Sequence, residues 1–461
     1  MKRTLLWCMV LTLMLSFCGC KSSGGNGTTP SESTEPSENE TSQLCYDGTP
    51  VTINFAYNNG RVTLLDYYVA EFQKLYPSIT VNAYNCGDID DICEMVYAMK
   101  NAKTYPNLVV CGANEVKAYM DWNVIAPLDE MMGSTALMSL QDDSQVPFGL
   151  TDAQKADFVD EFLAEGSNFG DGKTYMLPMS RYAQVMYYNK EFFDAHDLDV
   201  PATWEEMEAV CQQILQIDPD STPLLLSSSY LWFYDLCMQN GVDASTAEGS
   251  FGGSVPAQIL KKVWEGQQKQ YLTVEANVFG QFSGEAYAPR GYMAIDASYG
   301  ASYFYSGFEV GIAPVPKMVE TQNMTLTNGT SLCILKKENE QEMLASWLLM
   351  KYLTTNIDFQ AERSMLGGHL PVIESVTQHP DYSVYLNSAD GMENLEALSV
   401  KTCMGMGGYY PYITESCYTK FPTVNPLSGF TGLLYTCMKA DEENIDSVIA
   451  AQLQLILKDY Q

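Results

Sequence analysis

Between Val51 and Cys111 the apolar residues keep changing period, and this alternation constrains the fold more than any other feature. VTINFAYN reads as a strand, and Val62, Leu65, Val69 and Phe72 then recur at helical spacing until Pro77 ends the run. SITVNAYN is a second strand, residues 88 to 102 are helical in pattern, PNLVVCG is a short buried strand, and EVKAYMDWNVIAPLDEMM continues as helix and turn. Strands that alternate with helices predict a parallel sheet covered by helices.

The rest of the body repeats the style. After a polar, less regular region at residues 139 to 170, DGKTYMLPMSRYAQVMYYNKEFF gives a turn followed by two extended runs. In PATWEEMEAVCQQILQ, Thr203 can cap a helix while Glu206 reaches back, and Trp204, Met207, Val210, Cys211, Ile214 and Leu215 form its buried stripe. Strands follow at YMAID, EVGIAPVP and TSLCILK, then a long helix from about Glu340 to Thr355 and a final helix in NIDSVIAAQLQLILKDY. The helical periodicity of Trp204, Trp264 and Trp347 turns them inward.

The start of the chain is of another kind. Lys2 and Arg3 precede an apolar run from Leu5 to Phe17 that is too short to span a bilayer and has the layout of an export signal, residues 1–19. Residues 21 to 43 carry too few apolar groups to offset chain entropy and read as a disordered tether, with an average reach of about 25 Å. The chain has 57 acidic and 25 basic residues, a net charge of −32, which argues against nucleic acid and acidic lipid surfaces as partners. Of the 13 cysteines, three lie in or beside the export signal, and the ten from Cys45 to Cys437 form no C-x-x-C pair or Cys/His zinc spacing, so most of them read as small buried apolar residues, and neither a metal nor a cofactor is expected.

Catalysis finds little to work with. His196, His369 and His379 are the three histidines, none beside a recognised nucleophile motif, and G-x-S-x-G is absent. SNFGDGKT ends like a phosphate loop but has Ser167 where the first glycine should stand, and Asp171-Gly172 reads as a hairpin turn. No pair of carboxylates is singled out for glycoside hydrolysis. The expectation is a protein that is not an enzyme.

Two resemblances sharpen this. Phe17-Cys18-Gly19-Cys20 resembles the lipobox of bacterial lipoproteins, with Phe17 where leucine is usual, which implies a lipid on Cys20 and a tether over residues 20–48. Two or more acyl chains anchor stably, so the lipid alone would hold the chain at the outer face of the cell membrane. YMLPMSRYAQVMYYNKEFFDAHDLDVPATWEEM, AYAPRGYMAIDASYG with FEVGIAPVP, and SWLLMKYLTTNIDFQAERSMLGGHLPV together resemble, in order, the signatures of extracellular solute-binding proteins of the maltose-binding type, which deliver carbohydrates to ABC importers. The resemblance implies an α/β, type II periplasmic-binding-protein-like fold of two discontinuous lobes joined by a hinge, acting as a monomer with a sugar and permease subunits as partners. Lobe one is then expected at 49–182 plus 297–336, and lobe two at 183–296 plus 337–461.

A sugar offers apolar faces and a rim of hydroxyls, so its site needs flat rings and planar hydrogen-bonding groups, and tyrosine, present 30 times, supplies both. Ligands of open α/β sheets sit beyond the carboxyl ends of strands. Tyr57, Asn58 and Asn59 follow the first strand, and Asn114 and Glu115 follow the strand ending at Cys111. Arg181 and Tyr182 lie near the expected crossing. The resemblance aligns Tyr299, three residues beyond Asp296, with a sugar-stacking tryptophan of the family, and Tyr230, Trp232 and Tyr234 with further aromatic contacts. Tyr409 and Tyr410 stand in a glycine-rich setting typical of a binding loop. A lipoprotein of this fold that binds a polyamine, a glycerophosphodiester or a peptide, or presents its ligand to a sensor kinase, is the alternative.

Overall fold

Val51, Ile53 and Phe55 are buried while Thr52 is exposed, so the first strand starts with one face on the core and closes on both faces by Tyr57. The computed structural model describes residues 44–58, 62–227, 231–242, 251–275, 278–282, 290–305, 307–318, 324–391, 394–410 and 426–460. Its strands are β1 (Val51–Tyr57), β2 (Ile79–Asn85), β3 (Leu108–Cys111), β4 (Leu137–Ser139), β5 (Gln145–Pro147), β6 (Met176–Asn189), β7 (Leu224–Ser227), β8 (Leu272–Glu275), β9 (Met293–Ala297), β10 (Val310–Pro314), β11 (Thr325–Ile334) and β12 (Tyr409–Tyr410).

Among the described residues β4 and β5 form a small hairpin and the rest one ten-stranded sheet in the order β2-β1-β3-β11-β6-β9-β7-β8, with β10 beside β6 and β12 beside β11. β1 runs parallel to β2 and β3, and β7 runs parallel to β8 and β9. The two parallel groups are joined through β6 and β11, which lie antiparallel to each other; β11 is antiparallel to β3 as well, and β6 to β9. The sheet is therefore mixed, where the sequence pattern predicted a parallel one. The two extended runs expected after Gly172 are the single 14-residue strand β6, whose first half pairs with β11 and whose second half lies between β9 and β10.

The first core gathers Ile53, Phe55, Leu65, Phe72, Val109 and Leu332, and helix Glu340–Thr355 closes it with Trp347, Leu349 and Leu353. The second sets Met186, Leu224, Leu226, Met293 and Ile295 against helices Trp204–Ile217, Val255–Gln268 and Ile445–Tyr460. Tyr187, Leu225, Ala294 and Ile312, on the opposite face of that half, belong to the first cluster. Thr203 and Glu206 form the expected reciprocal cap, and Trp204, Trp264 and Trp347 are buried. Cys93, Cys111, Cys211, Cys237, Cys333, Cys403 and Cys437 are buried free thiols.

Three expected boundaries shift. Tyr46 is buried and its hydroxyl donates to Ser78 Oγ at 3.1 Å, while the Leu44 carbonyl accepts from Ser134, so packing starts at residue 44 and not at 49. The stretch Ser298–Phe304 and β10, expected in lobe one, pack with β6 and β9 on the second half of the sheet. Helices Glu340–Thr355 and Ile357–Gly367, expected in lobe two, pack on helix Val62–Leu75 and the first half of the sheet. The reason is the crossing strand β11. The chain returns to the first core along it, and a helix that follows such a strand packs back onto the half where the strand ends.

Candidate functional site

The carboxyl ends of β1 and β3 carry the first group of expected residues. Tyr57 is buried, and its hydroxyl donates to Asp66 Oδ1 at 3.0 Å; burial first, then the Asp66 charge, pushes it up to about 12. Asn58 and Asn114 are half-buried at the surface, and Asn59 lies outside the described residues. Glu115 turns back to its own helix, where Oε2 accepts from the Gly112 N–H at 2.8 Å. Burial pushes that carboxyl up to about 7, and the backbone N–H opposes the shift. Glu115 therefore caps the helix Ala113–Asp121 and offers nothing to a cleft, contrary to the expectation.

Arg181 is a second correction. Its guanidinium is fully buried and donates to Glu165 Oε2 at 2.9 Å, Ser331 Oγ at 3.1 Å and the carbonyls of Ser180 and Thr330. It ties β6 to β11 within the sheet. Arg363 is buried beside it and donates to Ser180 Oγ at 3.1 Å. Trp232 is the third correction: it is buried, and its indole N–H donates to the Ser227 carbonyl at 2.9 Å. Tyr230 lies outside the described residues.

The remaining expected residues converge where β6, β9 and β11 meet. Tyr299 follows β9 in the 3-10 turn Ser298–Phe304 and is 43% exposed. The Tyr182 ring meets it edge-on at 4.7 Å, and His369 lies parallel to it at 5.6 Å and 14°. Asp296, next to Val185 of β6, accepts from the Ala297 N–H at 2.7 Å. Burial pushes its carboxyl up to about 6, with the Ala297 amide and the Ser227 hydroxyl pulling the other way. Tyr182 and Tyr234 pack around Leu231, Met238 and Leu326. β12 joins the start of β11 in parallel, Thr325 beside Tyr409 and Leu326 beside Tyr410. The Tyr409 ring packs on Phe162 at 5.0 Å and its hydroxyl donates to the Cys403 carbonyl; the Tyr410 side chain lies outside the described residues.

Two residues of this junction were not among the candidates. His369 follows Gly368, whose φ of +62° ends the helix Ile357–Gly367 in a left-handed turn. A Cβ on Gly368 would come within 3.2 Å of the Ser298 carbonyl, so glycine lets this turn approach the stretch that carries Tyr299. The Gly-Gly pair before His369 was the signal for it. Asp235, fully buried on helix Leu231–Gln239, accepts from the Leu326 N–H at 2.8 Å and from the Thr325 hydroxyl at 3.4 Å. Burial pushes its carboxyl up to about 7. An acid amid the apolar LWFYDLCM was the corresponding signal.

A groove of about 440 Å³ lined by Tyr67, Tyr68, Glu71, Tyr352, Glu362 and His379 lies elsewhere, over helices of the first core, and takes in none of the expected residues. Among the described residues no helix is long and apolar enough to cross a membrane.

The arrangement has known counterparts. The cyclic α-maltosyl-1,6-maltose binding protein of Arthrobacter globiformis superposes with a TM-score of 0.68 at 18% identity, over 89% of this chain and 99% of that one. UgpB of Mycobacterium tuberculosis, solved with glycerophosphocholine, gives 0.67 at 18% over 88% and 98%, and the sugar-binding protein MalE of Xanthomonas citri gives 0.67 at 18% over 88% and 98%. The fold is that of type II periplasmic binding proteins. In sequence, a binding protein of Brucella abortus is 22% identical over 356 residues, covering 72% of this chain and 79% of its own. The family model for bacterial extracellular solute-binding proteins matches residues 67–389, more than half of the chain. The chain belongs to the bacterial extracellular solute-binding proteins, a family of binding proteins and not enzymes, which act outside the cytoplasm on a small-molecule ligand.

Proposed function

We propose that this chain is a membrane-anchored lipoprotein that captures a sugar or oligosaccharide between two lobes and delivers it to an ABC importer. Cys20 carries the lipid, and residues 21 to 43 are the tether from the membrane to the body. Lobe one is built on β1–β3 and the helices from Glu340 to Gly367, and lobe two on β7–β10 with the C-terminal helices; β6 and β11 form the hinge. A solute that touches both lobes stabilises the closed form by its differential affinity, and the closed form engages the permease.

The observation that carries this reading is the ring cluster of Tyr182, Tyr299 and His369 beside Asp296, at the carboxyl end of β9 and beside the crossing of β6. Rings supply faces for the C–H surface of a sugar, and the half-buried carboxylate accepts from its hydroxyls. Asn58, Asn59, Asn114, Tyr230, Tyr234, Tyr409 and Tyr410 remain in the proposed ligand surface, and Tyr57, buried with its hydroxyl on Asp66, lies beneath it. Arg181, Glu115 and Trp232 support it from within. The test is a thermal-shift screen of the purified protein against sugars, oligosaccharides, polyamines and glycerophosphodiesters. The reading expects the largest shift from a carbohydrate and its loss in Tyr299→Ala, and a screen in which no carbohydrate raises the melting temperature would overturn it.

A second reading, a ligand with a quaternary ammonium group, is favoured by the same tyrosines and Asp296, because such a cation prefers an aromatic face near a negative charge. A phosphodiester gains less, since Arg181 and Arg363 are buried and engaged by β6 and β11. Choline and glycerophosphocholine in the screen separate the two.

A further inference from the structure

Two guanidinium groups are buried where β6 meets β11, and they are neutralised differently. Arg181 has Glu165 as its counter-charge at 2.9 Å. Arg363, on helix Ile357–Gly367, is 8% exposed and has two hydroxyls as partners: Nη2 donates to Ser180 Oγ at 3.1 Å and to Thr330 Oγ1 at 3.4 Å. Among the described residues no carboxylate pairs with it. Burial pushes its pKa down to about 10, with no negative charge opposing the shift, so the group is still charged at neutral pH. A charge withdrawn from water is costly unless an opposite charge faces it.

The hydrogen bonds around Arg363 are also short of acceptors. Its Nε–H is sealed from water and meets no acceptor among the described residues. Ser180 Oγ and Thr330 Oγ1 lie 2.9 Å apart, so one hydroxyl donates to the other while both accept from Nη2, and one hydroxyl proton of the pair is left over. The spot thus gathers a positive charge and spare donors without a spare acceptor. That is the complement of an anion, since water could take up the donors but would leave the charge. It also lies at a joint. The register of β6 on β11 shifts here, which leaves Met179 out of the ladder, and the Met179 carbonyl accepts from Gln360, one helical turn before Arg363.

We propose that a small monovalent inorganic anion of the halide class binds at Arg363, against the guanidinium and the hydroxyls of Ser180 and Thr330, and completes the joint between helix Ile357–Gly367 and strands β6 and β11. One negative charge matches the one guanidinium that no carboxylate faces. The little of Arg363 that reaches solvent admits an ion not much larger than water and not the carboxylate or phosphate of a larger solute. The site is therefore separate from the ring cluster, and it stands whatever solute the cleft takes.

The experiment is a melting series of the full-length purified chain at constant ionic strength, with sodium gluconate replaced stepwise by sodium chloride or bromide, in the wild type and Arg363→Met, together with bromide-soaked crystals of the wild type read by anomalous scattering. The melting temperature should rise by about 3 °C by the time the halide reaches about one hundred times its dissociation constant. Arg363→Met should show no rise, and a bromide peak should lie within hydrogen-bond reach of Arg363. A rise of the same size in Arg363→Met would be a bulk-salt effect and would overturn the proposal. Melting temperatures alike in chloride and gluconate would overturn it too, and a bromide peak would then mark an adventitious ion only. Should Arg363→Met fail to fold, the wild type decides alone: the rise and the peak together support the site, and the lack of either overturns it.

Discussion

Arg181 and Tyr299 show how differently two polar or aromatic residues near one junction can be used. Arg181 is enclosed with Glu165, and its terminal nitrogens are engaged by Glu165, the Ser331 hydroxyl and the carbonyls of Ser180 and Thr330. Removing one member of such a buried pair costs about 3–5 kcal/mol, because the other charge stays behind without a counter-charge. Arg181→Ala should therefore lower the melting temperature sharply, with ligand affinity per folded molecule unchanged, and Arg181→Met with Glu165→Leu should recover much of the loss. A weakened affinity at unchanged stability would return Arg181 to the ligand surface. Asp235 and Glu115 invite a pH test. Burial holds both carboxyls at about 7, well above the usual carboxylate value near 4, so between those limits the folded chain binds more protons than the unfolded one. Their contribution to stability grows as pH falls through 7 and is lost as pH rises through it. The melting temperature should rise from pH 8 to pH 6, less so in Asp235→Asn; an equal slope in the variant would contradict this. The identity of these groups was in the sequence, but their burial was not. An arginine held by a serine hydroxyl and a threonine carbonyl from a strand some 150 residues away leaves no local trace.

The elements were legible where one side of them faces water. The period of Trp204–Ile217 and the cap at Thr203 come through because local chemistry sets both, and Thr203→Ala should cost about 1 kcal/mol in a denaturant melt. The crossing strands were not legible in the same way. β11 opens with TLTNGT, polar enough to read as a loop, and only its apolar second half was read as a strand. Gly329 is needed there because a Cβ would lie 2.0 Å from the Ser180 carbonyl, next to the register shift at Thr330/Ser331. The turn at Gly368 sets the approach of the helix Ile357–Gly367 to Tyr299 in a comparable way. Gly368→Ala should cost about 1–2 kcal/mol for its left-handed backbone and weaken ligand binding as well, a pairing that calorimetry on the refolded variant can check.

At the scale of the whole molecule, the alternation of strand and helix fixed the fold class but could not say which half a helix returns to. That depends on where β11 ends, and a crossing is a long-range fact. Tyr182, Tyr299 and Asp296, each expected separately as a ligand contact, are neighbours in the fold, whereas His369 reaches them only through the turn at Gly368. The central claim is that one solute is gripped by both halves at that cluster. The most direct test is a crystal structure of the protein with the carbohydrate that gives the largest thermal shift. The account predicts an unaltered sugar lying on Tyr299 with contacts to residues on both sides of β6 and β11; a sugar seated instead in the groove beside Tyr67 and Tyr352, or touching one half only, would contradict it.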